Sequence, residues 1–287
     1  MAFDWRSADD ATIERHFNPR VAVPDAEAVL ARYIEQSAAV RRDIAGTYDL
    51  RYGPDGKQTF DLHPPADGAS PAPLLVFIHG GYWRALDKSD HTFAVPAFTN
   101  AGFAVANVNY DLCPAVTLDR IVEEIRTAIE YIYRHAGDLG GDPDRITLVG
   151  HSAGAHLAAM ALAHDWTANG LPQQVIRAAA LLSGIYEPAV VLRTSVNAEI
   201  GLTDAVAMRN DCIDRPPTYA LPMLVAAGGD EPDGWQQQSI DYAAACRVDN
   251  YDLALTCVEG TNHFTLLEAA ADPAHPLCQS IIRLGRD

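Results

Sequence analysis

The chain has 287 residues, 48% of them hydrophobic and 21% charged, which is enough to bury a full core without disulfide staples. Its formal charge of −17 repels phosphate backbones, so nucleic acid is not expected as a partner. No apolar run of 18 residues exists to span a bilayer, and the five cysteines, at 113, 212, 246, 257 and 278, contain no C-x-x-C, which argues against a disulfide framework and a thiolate zinc site.

The opening residues, Met1 to Asp10, have neither a basic stretch nor an apolar one, so a cytoplasmic location is expected. Pro24-Asp25-Ala26-Glu27 opens a helix with Val29, Leu30, Tyr33 and Ile34 at helical spacing. Thr47 to Tyr52 and Gln58 to Leu62 alternate around Gly53-Pro54-Asp55-Gly56-Lys57 and read as an antiparallel hairpin. Pro64 to Pro73 reads as a Pro-rich connection.

From there short apolar runs, 74–78, 103–108, 146–149, 178–182, 223–226 and 253–258, alternate with helical stretches. Of these, the stretch from Thr117 to His135 carries Ile121, Ile125, Ala128, Ile129 and Ile132 on one face. Such runs suit strands buried on both faces of a parallel sheet. The expected class is α/β: a doubly wound, mostly parallel sheet in a single domain over 1–287, with the hairpin leading in. The segment 184–221 has no strand pattern and is read as a small helical cap inserted over the carboxyl ends of the strands. Gly140 to Asp144 lacks the alternating oxygen ligands of a calcium loop and reads as a cap on the approach to the next strand.

Gly150-His151-Ser152-Ala153-Gly154 lies between the run 146–149 and the helical stretch from Ala155. In a strand-turn-helix context, G-x-S-x-G is a nucleophile elbow, which holds a serine hydroxyl at the carboxyl end of the sheet. That serine needs a base, and the base an orienting acid, in the chain order Ser, acid, His. Of the ten histidines, His156, His164, His263 and His275 follow Ser152. The first two come too early for an acid to intervene, and His275 sits between Pro273 and Pro276 in a polar segment. His263 follows the last strand by a short turn and is the expected base.

The acid falls in Gly228-Gly229-Asp230-Glu231-Pro232-Asp233. Glu231 leads, three residues after Gly228; Asp230 stays open as an alternative, and Asp233 is third. His79-Gly80-Gly81-Tyr82-Trp83 follows the run 74–78 in the place of an oxyanion loop. The N–H groups of Gly81, Tyr82 and Ala153 are the expected oxyanion donors, with His79 pinning the loop. Tyr82 and Trp83 could line a narrow acyl side or equally be core packing; with His151 and Phe264 they make up the expected substrate-binding set. No cofactor and no metal is implied, since H-E-x-x-H, G-x-x-x-x-G-K-[ST] and G-x-G-x-x-G are all absent.

The runs His79 to Arg84, Val108-Asn109-Tyr110-Asp111-Leu112-Cys113-Pro114, Gly150 to Leu157 and Gly260-Thr261-Asn262-His263-Phe264, with Phe17-Asn18-Pro19-Arg20 near the start, resemble the kynurenine formamidase (arylformamidase) branch of the α/β-hydrolases. The resemblance implies hydrolysis of N-formyl-L-kynurenine to kynurenine and formate through a formyl-enzyme. Animal members of that branch carry Asp at the acid position, whereas Glu231 stands here with Asp230 beside it. A small-acyl carboxylesterase or amidase is the alternative enzyme, and a non-catalytic ligand-binding protein on the same fold is the alternative of another class. The expected partner is a small-molecule substrate, with no membrane; a homodimer is kept open.

Overall fold

In the computed structural model, residues 3–247 and 252–286 are described. Three helices lead, α1 (Asp10–Phe17), α2 (Pro19–Ala22) and α3 (Ala26–Asp43), followed by the hairpin β1 (Thr47–Arg51) and β2 (Thr59–His63). The parallel part is β3 (Ala72–Ile78), α4 (Val95–Thr99), β4 (Ala104–Val108), α5 (Leu118–Arg134), β5 (Gly141–His151), α6 (Ala153–Leu162) and β6 (Ala178–Leu182). Two short helices, α7 (Asn197–Ile200) and α8 (Asp204–Arg209), precede β7 (Met223–Gly228), α9 (Asp233–Cys246), β8 (Leu253–Val258), α10 (Thr265–Ala271) and α11 (Pro276–Leu284). Among the described residues, no helix is long and apolar enough to cross a membrane.

The eight strands form one sheet in the order β1-β2-β4-β3-β5-β6-β7-β8, with β2 antiparallel to both neighbours and every later pairing parallel. This is an α/β-hydrolase sheet. Strands β3, β4, β6 and β7, and β5 from Ile146 onward, are nearly continuous apolar runs because both faces are covered. Leu74, Val76 and Ile78 of β3 point into one core with Ile121 and Ile125 of α5, while Leu75 and Phe77 point into the other with Leu30 and Leu267. The edge strands β1 and β8 are the ones left part-exposed.

Two strand boundaries and one helix face differ from the sequence reading. Gly141 to Asp144 belongs to β5 and pairs with Ala72 and Pro73, ahead of a bulge that restores the register at Leu74↔Ile146. Ala72 and Pro73 are therefore strand and not connection. On α3 the buried face is Ala26, Val29, Leu30, Tyr33 and Ser37, and Ile34 faces outward at 49% exposure.

Register positions the site. Chain order turns back between β3 and β5, where a doubly wound sheet opens its crevice. Ile78 pairs with Gly150 and His151 with Leu182, so the turns after β3, β5 and β6 leave the sheet level with one another. Gly228 pairs with Val258, which brings the turns after β7 and β8 to the same end.

Candidate active site

The elbow is a tight contact between backbones. A Cβ on Gly154 would lie 2.0 Å from the carbonyl oxygen of Ile78, and one on Gly150 would lie 2.3 Å from that of Gly154, so both positions exclude any side chain. Ser152 between them has φ 57° and ψ −120°, a conformation costing a non-glycine residue about 1–3 kcal/mol. Its N–H on Leu182 O (2.8 Å) and the wholly buried helix α6 behind it hold the turn.

Ser152, His263 and Glu231 form a hydrogen-bonded chain, each 4% exposed. Ser152 Oγ lies 2.9 Å from His263 Nε2, and His263 Nδ1 lies 2.6 Å from Glu231 Oε1. The carboxylate accepts from Nδ1–H, which leaves Nε2 with its lone pair on the serine hydroxyl. The second oxygen of Glu231 accepts from Ser183 Oγ and from the Gly228 N–H, both at 2.7 Å, so the carboxylate cannot rotate away. The acid next to His263 is therefore Glu231. Asp230 is exposed, its backbone N–H tied to Thr261 O at 2.9 Å, and Asp233 is exposed in the first turn of α9. A strand closing at Gly228 directs residue 231 inward and residue 230 to solvent.

The imidazole of His263 is held on every side. Trp235 meets it edge-on at 4.5 Å, and Phe264 at 5.4 Å. Asn262 Oδ1 accepts from the N–H groups of Phe264 and Thr265 at 3.0 Å and so closes the turn after β8. His151 Nε2 lies 2.8 Å from the carbonyl oxygen of His263, and burial keeps His151 neutral well below the usual histidine range. Ser183 and Trp235, whose Nε1 donates to Ser183 O at 2.9 Å, were not among the residues expected from sequence. Neither carries a motif: the register of β6 with β7 brings Ser183 to Glu231, and the first turn of α9 brings Trp235 to Ser183 O and His263.

The loop after β3 passes in front of Ser152. His79 stacks on Tyr110 at 4.3 Å, and its ring nitrogens lie 2.6 Å from Gly80 O and 3.1 Å from Asn109 Oδ1. Gly81, Tyr82 and Trp83 all have positive φ (120°, 55° and 59°). Among the described residues, the N–H groups of Gly81, Tyr82 and Ala153 donate to no protein acceptor. Tyr82 lines the cavity and donates its hydroxyl to Phe17 O at 2.5 Å.

Trp83 is a correction to the expected substrate-binding set. It has no exposed surface, packs edge-on against His156 at 5.0 Å, and belongs to the core and not to the cavity wall. Two successive positive φ angles turn its ring inward just where Tyr82 faces the site. Of the other residues in that set, His151 and Phe264 line the cavity with Tyr82.

The cavity beside Ser152 is small, about 50 Å³. Much of its wall comes from the N-terminal helices, through Asn18, Pro19, Arg20, Leu30 and Tyr33; Tyr33 bonds its hydroxyl to Phe264 O. Of the segment 184–221, Val196 reaches the cavity. This segment is tied to α1: Glu14 accepts from Ser195 N–H (2.8 Å) and Oγ (2.6 Å), and Arg193 pairs with Asp10 at 2.7 Å.

Comparison with known proteins gives the same picture. A family profile described as BD-FAE matches residues 60–191. The kynurenine formamidase of Salmo salar is 29% identical over 98% of both chains, and that of Danio rerio 27% identical over 98% of both. A solved structure from Silicibacter sp. TM1040, described as a proposed thioesterase, is 27% identical with a TM-score of 0.82, covering 96% of this chain and 99% of its own. The chain is thus a hydrolase of the α/β-hydrolase fold, similar over almost its whole length to the kynurenine formamidase branch.

Proposed function

We propose that the protein is a serine hydrolase that cleaves N-formyl aryl amides, with N-formyl-L-kynurenine as the substrate and L-kynurenine and formate as the products. The observation that carries this reading is the bonded chain from Ser152 through His263 to Glu231, in a chain aligned end to end with formamidases. Ser152 Oγ attacks the formyl carbon while His263 Nε2 takes its proton. The oxyanion falls to the free N–H groups of Gly81, Tyr82 and Ala153, a contribution of about 3–4 kcal/mol for a single donor. His263 then returns the proton to the departing aryl amine, and the C–N bond breaks to leave a formyl ester on Ser152. Water attacks the formyl carbon as His263 takes its proton; the bond from that carbon to Ser152 Oγ then breaks, Oγ recovers a hydrogen from His263, and formate leaves.

A small acyl group suits the space. A Cβ on Gly80 would come within 3.2 Å of Ser152 Cβ, so the loop already lies against the nucleophile. The second reading, a small-acyl esterase, uses the same residues, and the Silicibacter relative is described as a proposed thioesterase, which also transfers an acyl group from an ester-type bond. Turnover of N-formyl-L-kynurenine against p-nitrophenyl acetate separates the two: the formamidase reading expects the higher kcat/KM on the formamide, and an ester preference of orders of magnitude overturns it. Labelling of Ser152 by a fluorophosphonate is expected in either case. A folded protein that fails to label is a binding protein.

A further inference from the structure

The wall of the cavity carries charge that the hydrolytic steps do not use. Among the described residues, two arginines, Arg20 and Arg84, line it and no Asp or Glu does, although the chain as a whole bears a formal −17. The two differ in setting. Arg20 is 43% exposed and spans 3.3 Å to a solvated Glu27, whereas the Arg84 side chain is 14% exposed. Its backbone N–H bonds to Gly81 O at 3.1 Å, which fixes the root of the side chain to the loop beside Ser152. Its Nη1 donates to Glu199 Oε2 at 2.8 Å, and that carboxylate is 63% exposed. Its Nε is buried without a hydrogen-bond partner, and among the described residues Nη2 donates to no protein acceptor.

A guanidinium offers five N–H donors in a rigid fork that matches a carboxylate. Here one is used, on a partner largely in water, and the side chain is already held by burial, so an incoming anion has little side chain to order. We propose that Arg84 is a specificity-determining residue that recognises a carboxylate on the leaving-group side of the substrate. The inference rests on the formamidase reading: a formyl group has no room for a further substituent, so the anion has to be carried by the aryl amine. Glu199 then acts as a competing internal anion, released to solvent when the substrate carboxylate takes its place. The class selected is a formylated aryl amine whose side chain carries a carboxylate, over formanilides that carry none.

The test compares KM and kcat for N-formyl-L-kynurenine and for formanilide, which offers the same bond without the amino-acid side chain and so without its carboxylate. Arg84→Gln is expected to raise KM for the carboxylate-bearing substrate roughly tenfold more than for formanilide, the size of one charge-assisted hydrogen bond, with kcat much less affected. Glu199→Gln, which frees the guanidinium, is expected to lower KM for the carboxylate-bearing substrate about two- to fivefold relative to formanilide. The Glu199 variant keeps the test decisive if Arg84→Gln does not fold. Equal shifts on both substrates in Arg84→Gln, or a relative rise in Glu199→Gln, overturn the assignment. If the wild type cleaves neither formamide, it is the formamidase reading that fails; the same ratio is then read on 4-acetoxybenzoate against phenyl acetate, and decides the role of Arg84 alone.

Discussion

Glu231 holds three groups at once: the imidazole of His263, the hydroxyl of Ser183 and the N–H of Gly228. Glu231→Gln keeps the shape but turns one carboxylate oxygen into an amide nitrogen. That presents a donor to one of the present donors, or favours the wrong imidazole tautomer. The expected loss in kcat is on the order of 10³–10⁴, while Asp230→Asn, on the exposed side of the same turn, stays within about twofold. Steady-state kinetics of the two variants on one substrate checks the pair. The sequence narrowed the acid to one turn but left Asp230 open, because a shorter side chain one residue earlier could reach the same imidazole nitrogen; which of the two turns inward is seen only once Gly228 is paired with Val258. Ser152 and His263 were legible because a motif and a chain order single them out. Trp83 stood open between cavity wall and core for a local reason: adjacent aromatics in a loop carry no sign of which way a positive φ will turn each ring.

At the scale of elements, the loop after β3 and the helix α6 are the parts whose packing serves the site. Trp83 fills the space between the loop and His156, so Trp83→Ala is expected to cost about 3–5 kcal/mol, as a lowered urea midpoint. A cavity-lining tryptophan would give the opposite pattern, a changed KM with stability intact. Gly154→Ala brings a methyl 2.0 Å from Ile78 O, a contact that neither α6 nor β3 can relieve without moving. A fall in melting temperature of more than about 10 °C is expected, together with loss of fluorophosphonate labelling at Ser152. Strands and the amphipathic α5 were readable because burial on both faces, or on one stripe, writes itself into composition. The part played by α1, α2 and α3 was not, since nothing in their own pattern tells that Asn18, Arg20 and Tyr33 face a cavity and not merely a core.

Across the whole molecule, the buried histidines make stability depend on pH in one direction. Burial lowers His156 to about 4; burial, with His79 nearby, lowers His91 to about 3; His79 and His151 are also held down, by burial first. Unfolded, these imidazoles titrate near 6.5, so below that value the unfolded chain binds more protons than the folded one. Their contribution is complete above pH 6.5 and is lost as pH falls toward the folded values, at up to about 1.4 kcal/mol per pH unit for each group. Thermal unfolding from pH 7 to pH 4.5 is expected to show a steadily falling midpoint. His156→Gln, which retains a donor for Asn210 O, is expected to flatten that slope.

The bond from Tyr33 to Phe264 O joins residues 231 positions apart, and it closes the cavity wall beside His263. A site completed by so distant a pair forms late, after the central strands have paired, because the entropy of closing a long loop is recovered only once the intervening chain is in place. During refolding from urea, tryptophan fluorescence should therefore recover before hydrolytic turnover does. The enzyme would pass through a state that has its sheet and its elbow but no enclosed chamber in which to do chemistry.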